Sequence, residues 1–385
     1  MNRRNWIKVT AAVGVGAIAS AGLYSFSRQA PKKIRKVSGQ EDWLFTGHST
    51  NPMPVSAYEA SKAEPAELRG INFQSGSSIS VRLPFLPHDI VSSNESDGRV
   101  ACALKWGNLA ALVDIKSQKI EKLIEAPAHA RFFGHLAWSH DSKNIFFSCE
   151  NDTAGEGQLW VYDVANSKFD GHVETGGYLP HQVRLSDDAT RLHILNASGR
   201  RDVRSKDRMA MLNDIDLSSG KITKKREFRI EGFNHFSLGP ESSQFLCGGV
   251  FDADLNKEST LTLIDDSQSY ENSLAESKDF TFKGETLSLV TFINEHGNLG
   301  LATIPNSNAI ILYDFTDKRI LHIDKSLINP RGLSLSNQNP NQFYVNLASG
   351  DILQMTLIKD RGGYAFQKES SKLLGNGSHL QLIRI

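Results

Sequence analysis

HLAWSHDSKNIFFSCENDTAGEGQLWVYDVANSKFDGHVETG, residues 135–176, decides the fold. HLAWS is a short alternating run, and HDSK is a turn whose Asp and Ser bond their own backbone. NIFFSCEN reads as a second strand and DTAGEGQ as a Gly-rich loop. LWVYDV reads as a third strand, ANSK as a turn, and FDGHVETG as a fourth, more polar strand. Four short strands within one such stretch make a blade of a β-propeller.

Working outward, the same unit begins at His88 (PHDIV), His181 (PHQVRL) and His235 (NHFSL), so the four heads are spaced by 47, 46 and 54 residues. A period in that range marks a stacked or radial array. The third strand repeatedly ends in Asp, at Asp114, Asp163, Asp216, Asp265 and Asp314. A carboxylate there accepts backbone N–H groups and closes the turn to the fourth strand. Two more heads carry no histidine: TLSLVTF, beginning near Ser288, and NPRGLSLS, near Arg331. The seventh is GSHLQLIRI at the end of the chain, headed by His379. Its partners stand at the other end, as DWLFTG, AELRGINF and SISVRLPF between residues 42 and 85. The expected fold is therefore all-β: a seven-bladed β-propeller of four-stranded blades over residues 40–385. The last blade is closed by N-terminal and C-terminal strands together, which removes an exposed sheet edge.

The first 27 residues read as an address. MNRRNWIKVTAAVGVGAIASAGLYS has a basic start, an apolar stretch and small residues suited to cleavage after Ala21. Arg3-Arg4 before Asn5-Trp6-Ile7-Lys8 matches a twin-arginine signal, and residues 28–39 read as a basic linker. The apolar stretch is short for a membrane span. A periplasmic location and a folded-state export route are expected.

Residues 1–36 hold eight Lys/Arg and no acid, so the remaining 35 of the 43 basic residues face all 43 acidic ones, a net charge of −8. That charge argues against nucleic acid as a partner, and a monomer is expected. GRRDVRSKDR, residues 199–208, reads as a solvated loop. The three cysteines are far apart with no C-x-x-C, so Cys102, Cys149 and Cys247 read as buried small apolar residues.

The first strand of a propeller blade lines the central channel. Five blades place a histidine at its head: His88, His135, His181, His235 and His379. Blade six offers Arg331 and blade five Ser288. Long polar loops, 151–158, 196–208 and 252–259, open on the same face. Neutral imidazole suits iron, copper or zinc, so the five histidines read as metal ligands at one channel mouth. Glu150 and Asp152, just past the second strand of blade two, are candidate carboxylates there, and Arg331 a further contact. The opposing reading makes each histidine a brace to backbone in the next blade. The other histidines (48, 129, 140, 172, 193, 296, 322) are expected in turns or outer strands, solvated.

The runs LPFLPHDIV, ARFFGHLAWSHDSKNIFFSCENDTAGEGQLWVYDV and LPHQVRLSDDATRLHILNASGR resemble a bacterial family catalogued as domain of unknown function 1513. The resemblance runs from about residue 80 to HLQLIRI. Its more specific phrase is Phe133 and His135 followed by Glu150, Asn151, Asp152, Gly155 and Gly157. It implies an exported propeller, commonly encoded beside imelysin-type iron-uptake proteins, and so a role in iron handling with iron, copper or haem bound. The chain departs from the family pattern after Asn196, where its loop is more basic and lacks Gly-Gly. PHQVRLSDD is more distantly similar to sugar-lactone hydrolases and YVTN-type propellers.

Three functions stay open: a metal-binding accessory protein, a lactonase-like or metal-dependent enzyme, and an interaction platform without a small ligand. No G-x-S-x-G, P-loop or dinucleotide fingerprint is present. Histidines rather than carboxylates at the strand heads point to binding more than to hydrolysis.

Overall fold

The blades close into a ring of seven antiparallel sheets. The computed structural model describes residues 42–49, 66–93, 97–151, 156–197, 210–228, 234–241, 243–249, 258–265, 272–276, 281–377 and 379–384. The proposed signal, the basic linker, Asp152 and the 199–208 loop lie outside these residues. Each sheet begins with its innermost strand: Asp89–Ser92, Ala130–Trp138, Pro180–Leu185, His235–Leu238, Ser288–Asn294, Pro330–Leu335 and Leu380–Arg384. Six sheets have four strands; blade four has three among the described residues.

Blade seven is built as the sequence implies. Leu380–Arg384 pairs with Asp42–His48, with Leu380 opposite Thr46 and Arg384 opposite Asp42. Ala66–Asn72 and Ser78–Leu83 complete the sheet. The Thr46 hydroxyl donates to the His379 carbonyl at 2.8 Å, and the Gly377 N–H donates to the Gly47 carbonyl at 2.8 Å. Gly332 is required at this seam, since a Cβ there would stand 2.4 Å from the Leu380 nitrogen.

The third-strand aspartates act in the turns. The Asp114, Asp163, Asp216 and Asp314 carboxylates accept from the backbone N–H groups of Lys116, Asn166, Ser219 and Thr316 at 2.8–2.9 Å. Four residues after each, Gln118, Ser167, Gly220 and Lys318 adopt positive φ. A type I turn closed by one left-handed residue and a bulge makes that hairpin. The carboxylate bonds explain how three non-glycine residues hold it.

The core is divided as the ring is. Seven hydrophobic clusters lie one at each junction between neighbouring blades. The three cysteines are packed in these junctions and have no disulfide. Burial pushes the Cys102 thiol up to about 12 and raises those of Cys149 and Cys247 as well, so all three stay protonated and inert. No helix among the described residues is long and apolar enough to cross a membrane.

Candidate metal centre

Five inner strands deliver one imidazole each to the channel axis. His88, His135, His181 and His235 are buried and His379 is half-buried. They sit together at the head of the channel, four of them closed off from solvent. His135 is the hub, with its ring centroid 4.9 Å from His88, 4.7 Å from His181, 5.5 Å from His235 and 4.9 Å from His379. The other four surround it. His88 and His379 are 4.7 Å apart, His181 and His235 4.6 Å, His235 and His379 5.3 Å, and His88 and His181 6.2 Å.

Backbone irregularity puts His135 at the hub. In blade two, Phe132 pairs with Cys149 and Leu136 with Phe147, so three residues face Ser148 alone. Bulges re-aim side chains, and this one carries His135 inward. Gly134 sits in it at φ +106°, where a Cβ would be 2.7 Å from His88 Cδ2 and 3.1 Å from Lys105 Cα. The Ser148 hydroxyl donates to the His135 carbonyl at 2.9 Å and fixes the bulge. Blade three has a smaller version, where His181 and Gln182 stand between the Pro180 and Val183 pairings.

Each imidazole leaves its Nε2 without a partner among the described residues, and His181 leaves both ring nitrogens so. Two rings are oriented from behind. His135 Nδ1 lies 3.0 Å from Asp89 Oδ2, and His235 Nδ1 lies 3.2 Å from the Thr286 carbonyl. Both acceptors call for a proton on Nδ1, which leaves an Nε2 lone pair facing the other rings. An orphaned buried polar atom costs about 1–3 kcal/mol, and here five such atoms share one place.

The rings are neutral near pH 7. Burial holds His88, His135, His181 and His379 well below the usual imidazole range and lowers His235 to about 4. The Lys105 ammonium, on the loop after the second strand of blade one, acts on all five in the same direction. Neutral imidazole is the ligand form.

The possible ligand atoms fall into three sets whose members all lie within 4.8 Å of one another: His88, His135 and His181; His135, His235 and His379; and His181, His235 and Glu285. Among the described residues no other group of this kind occurs. The chain thus has clustered His and Glu side chains able to coordinate a metal ion.

The remaining candidates are placed differently. Glu150 is buried but engaged by Arg131, which lies opposite it across the sheet and donates from Nη2 at 2.6 Å and Nε at 3.0 Å. It belongs to none of the three sets. Arg331 lies near Glu285, and its carbonyl accepts from the Thr303 hydroxyl at 2.5 Å. Ser288 accepts from the Leu333 N–H at 3.0 Å in the channel wall. Blade five contributes Glu285 instead, three residues ahead of the strand head. Asp89, next to a named histidine, was also not singled out from the sequence. One expectation of solvation fails: His193 is buried between blades three and four. Its Nδ1 is 2.8 Å from Asp214 Oδ1, and Arg226 holds the same carboxylate at 2.8 and 3.1 Å. Those bonds keep Asp214 at about 2 against a burial that works the other way.

The comparisons with known proteins fit this architecture. Residues 81–369 match the family described as "Protein of unknown function (DUF1513)", and the chain belongs to that family. Among solved structures it is similar to hydrazine synthase from Kuenenia stuttgartiensis, with 11% identity and a TM-score of 0.56 over 78% of this chain and 95% of that one. At that identity the likeness is one of fold. No curated protein matches the chain.

Proposed function

We propose that this DUF1513 propeller is an exported metalloprotein whose ion is held by the channel imidazoles around His135. The observation that carries this reading is the convergence of five unpartnered, neutral Nε2 atoms on one buried place. Among the described residues a bracing role is supported for His135 and His235 alone, through Nδ1, and it leaves the Nε2 atoms unexplained. An imidazole set suits copper, zinc or iron, with copper(II) bound most tightly of the divalent ions. Haem fits poorly, because a macrocycle would have to part rings already in contact. The Asp89–His135 pair supplies the carboxylate support typical of metal-binding histidines.

His235 and His379 also line a cavity of about 270 Å³ along the channel. An ion held above that cavity would keep a side open to a small molecule, as catalytic metal sites do and structural ones do not. This favours a metal-dependent propeller enzyme over a carrier that must release its ion. The second reading, an accessory to imelysin-type iron uptake in the periplasm, rests on the family resemblance and the N-terminal signal.

The test is metal analysis of protein exported by its own signal, followed by titration of metal-free protein with copper(II), zinc(II) and iron(II). One tightly held ion per chain is expected. Absence of binding by all three would refute the proposal. The triple variant H135Q/H181Q/H235Q should lose the ion and keep its β circular dichroism; if it unfolds instead, the histidines are braces.

A further inference from the structure

The cavity beside the histidines has a chemistry of its own. It runs from His235 and His379 along the inner strands to Asn337, in the turn that ends the inner strand of blade six. It therefore extends from the imidazole layer toward the opposite mouth. At about 270 Å³ it lies just below the usual range for small-molecule sites, so it suits a compound of a few heavy atoms.

Its wall offers more donors than acceptors. Arg184 lines it and has neither an ion pair nor a hydrogen bond among the described residues. Gln182 accepts the Phe236 N–H at 2.6 Å through Oε1, which leaves its amide N–H groups for the cavity. Ser288 and Ser334 accept the Leu333 and Leu382 N–H groups at 3.0 and 3.1 Å, which leaves their hydroxyl protons to donate. The one carboxylate in the wall, Asp89, is already committed. Its oxygens take the Ile90 N–H and His135 Nδ1, each at 3.0 Å.

Charge points the same way. The five imidazoles are neutral ligands and bring no negative charge to an ion. Lys105, Arg184 and Arg331 lie around the cluster, and among the described residues Asp89 and Glu285 oppose them. A dication added to that set is under-compensated, and an anionic ligand offsets it.

We propose that this chamber binds a small carboxylate-type anion, anchored by Arg184 and reaching the metal on the side of His235 and His379. The proposal rests on the metal reading for its second anchor and names the ligand class of that site. Arg184 supplies the fork that carboxylates match, and the two serines and Gln182 supply neutral donors.

The experiment uses full-length copper(II)-loaded protein, with azide and formate as probes. Azide should give a saturable charge-transfer band that formate competes away. Arg184→Gln should weaken formate by about tenfold or more, with copper content and melting temperature unchanged. Arg184→Lys, which keeps the charge and loses the fork, should fall between. A copper spectrum indifferent to both anions, or equal formate affinity in Arg184→Gln and wild type, would overturn the proposal while leaving the metal centre standing. If no metal binds at all, the preceding reading fails. Saturation-transfer NMR of formate on metal-free protein then decides this one: an Arg184-dependent signal supports the chamber, and its absence overturns it.

Discussion

Lowering the pH from 7.5 to 5 should destabilise the metal-free protein steeply. Each of the five imidazoles is neutral in the folded state and titrates near 6.5 once unfolded. Below 6.5 the unfolded chain therefore binds protons that the folded chain refuses. Stability is full above that pH and is lost as the pH falls toward the depressed folded values. For His235, held at about 4, the difference at pH 5 amounts to about 2 kcal/mol. The other four shift in the same direction. A whole domain is stable by roughly 5–15 kcal/mol, so the effect is large. The two most strongly depressed carboxylates, Asp188 and Asp214, at about 2, lose their contribution only below pH 4, outside this window. Urea unfolding at pH 7.5, 6 and 5 measures it. His235→Gln should lessen the loss at pH 5 by about the 2 kcal/mol that His235 contributes. Wild-type stability that is level across this range would mean the rings are solvated or paired, and the argument for a neutral donor set would fail.

Three other substitutions probe the centre. His135→Gln removes the hub and a member of two of the three donor sets, so copper affinity should drop about 100-fold or more by competition with a chelator. An unfolded variant would instead mark His135 as a brace. Asp89→Asn keeps the shape but weakens the acceptor behind His135, and a loss of roughly 10–100-fold in metal affinity is expected; unchanged affinity would separate Asp89 from the site. Gly134→Ala forces a Cβ to within 2.7 Å of His88 and a side chain onto a φ of +106°. The expected cost is about 1–3 kcal/mol in urea unfolding together with weakened metal binding. A variant with wild-type stability would show that the bulge relaxes freely.

The ring was legible because its signals are local and recur. An Asp at the end of a third strand predicts its own turn, and the turn reappears four times with a left-handed residue four positions on. The closing strand was legible by counting, since three N-terminal strands lacked a head and the C-terminal His379 headed a strand without partners. Other features depend on register, which the sequence does not display. Glu150 reads as a loop carboxylate, yet pairing across the sheet places it opposite Arg131. His193 alternates into a blade junction rather than into solvent, where Asp214 and Arg226 receive it. Glu285 precedes its strand head, so a search aligned on strand heads passes over it. Asp89 stands beside His88 but serves His135, one blade away.

The channel is narrow where the inner strands enter it, and His235 and His379 from two non-adjacent blades already stand 5.3 Å apart. Blades three and six each carry a small irregularity near the head of the inner strand. The largest departure from regular pairing is in blade two. The bulge of residues 133–135 sets His135 among four histidines from four other blades, within 4.7–5.5 Å of each. The same bulge needs Gly134 to let His88 and Lys105 close on it. A brace to neighbouring backbone requires no such departure, because His235 reaches the Thr286 carbonyl from a regular strand. The irregularity in blade two is explained by what it brings together, five imidazoles whose Nε2 atoms have no other partner among the described residues.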